Sequence, residues 1–143
     1  MRSSLNLRDG HVQKIGIFQK LATLEIRQDV SGPAVVVAVA GDIDTATVHT
    51  LIEHFETALD ATADRSRKLL VIDLTNVTYF GSAGLNALLG CYEVGATNGV
   101  AVRLVADAPE VLRPLQVTQL DTVVRPYPTL PEALDSPSGD DGG

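Results

Sequence analysis

The sequence predicts an α/β protein, a mixed and mostly parallel sheet of about five strands with about four helices. Three observations lead there. Short apolar runs rich in β-branched residues alternate with stretches whose apolar residues recur at helical spacing. Turn residues punctuate the boundaries between them. The first two apolar runs are joined by a Gly-Pro turn and the later ones by helix-length segments, which implies one antiparallel hairpin followed by β-α-β crossovers.

Residues 1–22 show no clean period. Ile15, Phe18 and Leu21 would line one face of a short helix, but Gly10 and Gly16 oppose it, so the segment is expected to be a partly disordered extension. Thr23-Leu24-Glu25-Ile26-Arg27-Gln28 alternates like a strand with one wet face. Asp29 to Pro33 carry turn chemistry, and Ala34 to Ala40 are continuously apolar, as in a strand buried on both faces. Asp44 or Thr45 then caps a helix whose stripe is Val48, Leu51, Ile52, Phe55 and Leu59.

Leu69 to Leu74 read as a buried strand. Phe80-Gly81-Ser82-Ala83-Gly84 leaves room only for a tight strand-to-helix turn, with Ser82 at the N-cap and Leu85, Leu88, Leu89 and Tyr92 at helical spacing after it. Asn98 or Gly99 closes that helix, and Val100 to Val105 form the next strand. Asp107-Ala108-Pro109-Glu110 opens a third helix, kept short or kinked by Pro114. Thr122 to Arg125 read as an edge strand ended by Pro126 and Pro128, and Thr129 to Leu134 as a short helix. Residues 135–143, of Pro, Ser, Gly and Asp, are expected to be a disordered tail, which leaves 23–134 as the folded domain.

Composition narrows the function classes. With 143 residues, 45% of them hydrophobic and 20% charged, the chain suits one globular domain. A net charge of −7 argues against nucleic acid as partner. The lone Cys91 excludes an internal disulfide and multi-cysteine metal sites, and reads as a small core hydrophobe. His11, His49 and His54 are scattered and read as solvated, so no metal site is expected. No apolar run reaches membrane-span length and the start lacks a secretory core, so the simplest reading is a soluble cytoplasmic protein without a membrane partner. There is no Walker loop, Gly81-Ser82-Ala83-Gly84 lacks the Gly-x-Ser-x-Gly spacing of a hydrolase elbow, and no acid–base pair stands out. Neither an enzyme nor a cofactor is expected.

One set of motifs resembles a known family. Gly41-Asp42-Ile43-Asp44, the strand end Asp73-Leu74-Thr75-Asn76-Val77, Phe80-Gly81-Ser82-Ala83-Gly84-Leu85 and Tyr127-Pro128-Thr129-Leu130 with Ala133-Leu134 resemble, in order and spacing, STAS domains, and more narrowly the bacterial anti-sigma factor antagonists (anti-anti-sigma factors). The resemblance implies the STAS fold and a regulatory binding role. Such a protein captures an anti-sigma factor, usually a GHKL-type serine kinase, and so frees a sigma factor for transcription. It also implies that Ser82 aligns with the residue the kinase phosphorylates, and that Asp42 and Asp44 match an acidic loop beside it. The partner surface so implied comprises Asp42, Asp44, Thr45, Tyr79, Phe80, Gly81, Ser82, Ala83, Gly84 and Leu85. Two positions depart from the family pattern: Gly81 stands where an Asp precedes the acceptor, and Ala83 where a second hydroxyl follows it. Gly81 is expected to open backbone conformations closed to Asp. The other reading of the same fold is a ligand-sensing or complex-forming STAS module that is not regulated by phosphorylation.

Overall fold

The computed structural model describes residues 17–20 and 24–135. Its strands are β1 (Ile17–Lys20), β2 (Leu24–Ser31), β3 (Ala34–Ile43), β4 (Leu69–Phe80), β5 (Ala101–Val105) and β6 (Pro126–Tyr127). Its helices are α1 (Val48–Ala63), α2 (Ser82–Thr97), α3 (Pro109–Val117) and α4 (Leu130–Asp135), with a 3-10 turn at Leu120–Thr122. The strands lie in chain order across one sheet, β1-β2-β3-β4-β5-β6. The pairs β1–β2 and β2–β3 are antiparallel, and β3–β4, β4–β5 and β5–β6 are parallel.

The hairpin forms because Gly32 takes φ 59 in a two-residue Gly-Pro turn, with Ser31 paired to Ala34. Arg65 clamps that turn from outside, donating to the carbonyls of Gly32 and Pro33. The residues of β3 then divide between two cores. Val35, Val37 and Val39 pack under α1–α3 with Leu51, Phe55, Ile72 and Leu88. Ala34 and Val36 join Leu69, Val71 and Val105 under α4 on the other side. A strand covered on both faces needs apolar residues at both parities, which is why this run shows no alternation. The helix α4 is held by two arginines at its C-terminal end, where cations suit the helix dipole. Arg103, buried beneath it, donates to Ala133 O at 2.7 Å, and Arg67 donates to Leu134 O at 2.9 Å.

Three expectations need correction. Residues 17–20, placed in the N-terminal extension, form the sheet's sixth strand by pairing with β2, an interaction that their own pattern does not announce. The rest of that extension and the tail from 136 onward lie outside the described residues. The last strand is Pro126–Tyr127 rather than Thr122–Arg125; Thr122 closes the 3-10 turn, and Val124 is buried in the core beneath it. Pro126 is tolerated at the edge, where a missing N–H leaves no ladder bond unmade. His54 is buried in α1 rather than solvated.

Candidate functional site

Parallel strands bring the turns at their C-terminal ends to one rim of the sheet, and there β3 and β4 end side by side. Asp42 is in register with Tyr79 and Ile43 with Phe80. Irregularities at Ala38/Ala40 and Gly41/Asp42 shift that register, and Gly41 carries φ 105, a backbone region that glycine enters without strain. The Gly81 amide donates to Ile43 O at 3.2 Å, which ties the turn before α2 to the loop before α1. Gly84 closes the junction: a Cβ there would stand 2.8 Å from Ile43 Cγ2 and from the Phe80 ring.

The loop from Gly41 to Thr47 is organised by two polar side chains. Asp44 Oδ1 accepts the amides of Ala46 at 2.9 Å and Thr47 at 3.1 Å. Thr47, only 4% exposed, accepts the Asp44 amide at 3.0 Å and donates to Asp42 O at 3.0 Å. Asp44 therefore caps the loop, and Thr47 is the N-cap of α1. The Asp42 carboxylate accepts the Thr78 hydroxyl at 2.7 Å, a cross-strand bond that aims it along the rim.

Ser82 is exposed, but it is the first residue of α2 rather than its cap. Gly81 is the N-cap, its carbonyl accepting the amides of Gly84 at 3.0 Å and Leu85 at 3.1 Å. Gly81 has φ −91 and ψ −174, an extended conformation open to any residue. The expected backbone freedom is thus unused. What favours glycine is space: a Cβ at 81 would meet Tyr79 Oη at 2.9 Å and Tyr79 Cε2 at 3.0 Å. The first turn of α2 contains no acidic residue, so its positive dipole end meets no carboxylate from its own sequence.

The residues named from sequence thus fall into two groups. Thr45, Tyr79 and Ser82 are exposed, and Asp42, Asp44, Gly81 and Ala83 are half-buried along the same rim. Phe80, Gly84 and Leu85 are buried in the core beneath them, so the apolar surface expected from Tyr79, Phe80 and Leu85 reduces to Tyr79. Phe80 and Leu85 shape the turn from below. Sequence reasoning missed Thr47 and Thr78, whose roles depend on carbonyl and carboxylate positions that spacing does not reveal.

The titrating groups elsewhere carry little chemistry. Burial pushes the Cys91 thiol up to about 12, which keeps it protonated and unreactive. Among the described residues no cluster of three or more His, Cys, Asp or Glu could hold a metal ion. No described helix is long and apolar enough to cross a membrane.

Comparison with known proteins agrees with this architecture. The sequence profile of the STAS domain matches residues 22–133. The structure is similar to that of an anti-sigma factor antagonist from Mycobacterium paratuberculosis, with TM-score 0.71 and 32% identity over 78% of this chain and 92% of the other. It also shares its fold with the unphosphorylated form of the anti-sigma factor antagonist SpoIIAA, with TM-score 0.60 and 18% identity over 84% of this chain and 93% of the other. An anti-sigma factor antagonist STAS domain protein from Planctomyces limnophilus gives TM-score 0.62 and 24% identity over 76% and 93%.

Proposed function

This chain belongs to the STAS-domain family, and from that premise we propose that it is an anti-sigma factor antagonist, a binding module rather than an enzyme. It captures a GHKL-type serine kinase acting as anti-sigma factor and so frees a sigma factor. One observation supports this most: the Gly81–Ile43 hydrogen bond joins two turns into one rigid rim on which Ser82, Thr45 and Tyr79 are exposed together. The 32% identical antagonist from Mycobacterium paratuberculosis makes an anti-sigma factor the natural class of partner.

Phosphorylation of Ser82 is the regulatory step of this proposal. A phosphoserine would bring about −1.5 to −2 charges to the rim. The start of α2, free of acidic residues in its first turn, accommodates that charge, so the fold persists. Asp42 and Asp44 on the neighbouring loop add to the negative field, and a partner fitted to the unphosphorylated rim is repelled. Gly81 and Ala83, standing where the family pattern carries an acid and a second hydroxyl, favour a second reading, in which the rim binds its partner and is not modified.

The test is titration of each purified anti-sigma serine kinase of the same cell into the wild type and Ser82→Glu. The proposal expects one kinase to bind the wild type at micromolar affinity or better and the variant at least about tenfold more weakly. Failure of every kinase to bind the wild type would refute it.

A further inference from the structure

Between α1 and α2 lies a cavity of about 270 Å³, lined from these two helices alone. Its floor is apolar and buried, made of Phe55 and Leu59 on α1 and Ala87 and Cys91 on α2. Glu56, Asn86 and the half-exposed Val94 stand at its mouth. Gly90, in the middle of α2, completes the wall. The glycines inside α2 differ in what they are for. A Cβ on Gly84 would press on Ile43 and Phe80 at 2.8 Å, and one on Gly95 would press on Val102 at 2.6 Å. A Cβ on Gly90 would meet nothing within 4 Å. A mid-helix glycine lowers stability relative to alanine, and at position 90 no packing demands it. What the missing side chain provides is the open space. An apolar cavity that the fold keeps open at a cost in stability is where a ligand is expected.

We propose that this cavity binds a small organic cation, an alkyl or aryl ammonium whose apolar body lies against Phe55 and Leu59 and whose charge sits at Glu56. The inference is independent of the function proposed above, since the cavity shares no residue with the Ser82 rim. Charge chooses the sign of the ligand. Glu56 is the only ionised residue in the lining, and the two helices carry Glu53, Glu56, Asp60 and Glu93 with no lysine or arginine. Arg65, the first cation beyond α1, is engaged at the hairpin turn. An ammonium is therefore attracted to this face and a carboxylate repelled. The Asn86 side-chain carbonyl at the same mouth offers the ammonium a second acceptor. Size favours a compact molecule over a protein surface. The lining runs from Ile52 to Leu59, two turns of α1 or about 10 Å. Among the exposed large hydrophobic residues described, Val94 alone belongs to either helix, so the apolar area lies inside the cavity rather than across a docking face.

The test is amide chemical-shift titration of the isotope-labelled full chain with phenethylamine, with hexylamine and, as the anionic match, with phenylacetate at equal ionic strength. The expected result is saturable shifts at Ile52, Glu56, Ala87, Gly90 and Val94 with both amines, and an affinity for phenylacetate about fivefold or more weaker. Glu56→Gln, a change at an exposed position, is expected to narrow that preference by about twofold or more. Gly90→Leu places a helix-favouring side chain in the open space, so it is expected to remain folded by circular dichroism and to lose binding of every probe. Unshifted spectra with both amines would overturn the proposal. Equal affinities for phenethylamine and phenylacetate, binding unchanged in Gly90→Leu, or shifts centred outside α1 and α2 would each do the same. Shifts at these amides that appear on concentrating the protein alone would assign the cavity to a second copy and overturn it as well.

Discussion

The phenol of Tyr79 lies over Gly81, so close that a methyl group on Gly81 would stand 2.9 Å from the Tyr79 oxygen. The two residues share one volume: with Tyr79 in this place, position 81 has no room for a side chain, and with a side chain at 81 the ring must swing outward. The obstacle is the far end of a flexible side chain, so the exchange costs little.

Gly81→Asp tests this relationship. The backbone at 81 suits any residue and Asp caps helices well, so the variant is expected to fold with stability within about 1 kcal/mol of wild type. Displacing the ring reshapes the rim beside the exposed Ser82, so affinity for a kinase that binds the wild type is expected to fall several-fold, read by titration. Double variant Gly81→Asp with Tyr79→Ala is expected to add little more, because the ring has already moved.

Two glycines of α2 should respond oppositely to alanine. A Cβ on Gly84 would press on Ile43 and Phe80 at 2.8 Å, so Gly84→Ala is expected to destabilise by about 1–3 kcal/mol. A Cβ on Gly90 meets nothing within 4 Å, so Gly90→Ala is expected to stabilise by about 0.5–1 kcal/mol through helix propensity. Urea unfolding of the two variants checks the signs.

Thr47→Val keeps the shape of the side chain but removes the hydroxyl that joins the Asp44 amide to the Asp42 carbonyl. Leaving these groups without their partner is expected to cost about 1–3 kcal/mol. Kinase affinity should fall with it, whereas Thr45→Ala, at the exposed tip of the same loop, should leave stability unchanged.

His54 supplies a pH dependence. Burial lowers its pKa below the ordinary histidine value, with Glu53 pulling weakly the other way. A lowered folded pKa means that the unfolded chain takes up the proton first as pH falls. The stabilisation is therefore complete above about pH 6.5 and is lost below it, down to the folded value. Between pH 7.5 and pH 5, wild type is expected to lose more unfolding free energy than His54→Gln; equal slopes in the two proteins would contradict the assignment.

Much of the framework was legible because local chemistry and global fold agree. The Gly-Pro turn, the unbroken apolar run from Ala34 to Ala40 and Pro109 at the first turn of α3 each state their role locally. What was not legible depends on long-range geometry. β1 exists through pairing with β2, and Pro126–Tyr127 through pairing with β5, so neither needs a strand-like pattern of its own. At the site, Ser82 fits an N-cap by composition, yet the hydrogen-bonding of α2 begins one residue earlier, at Gly81. Phe80 and Leu85 are apolar residues beside an exposed serine, and only the packing against Ile43 and α2 shows that they face inward.

The central claim is that the rim formed by Thr45, Tyr79 and Gly81 to Ala83 is where the anti-sigma factor binds. Amide chemical-shift mapping of the isotope-labelled protein, titrated with the purified kinase that binds it, reads that surface residue by residue. The account predicts perturbations concentrated at Thr45, Tyr79, Gly81, Ser82 and Ala83, with Arg27 and Asp73 on the polar patch of the sheet's other face unmoved. Perturbations confined to that patch, with the Ser82 turn silent, would contradict it.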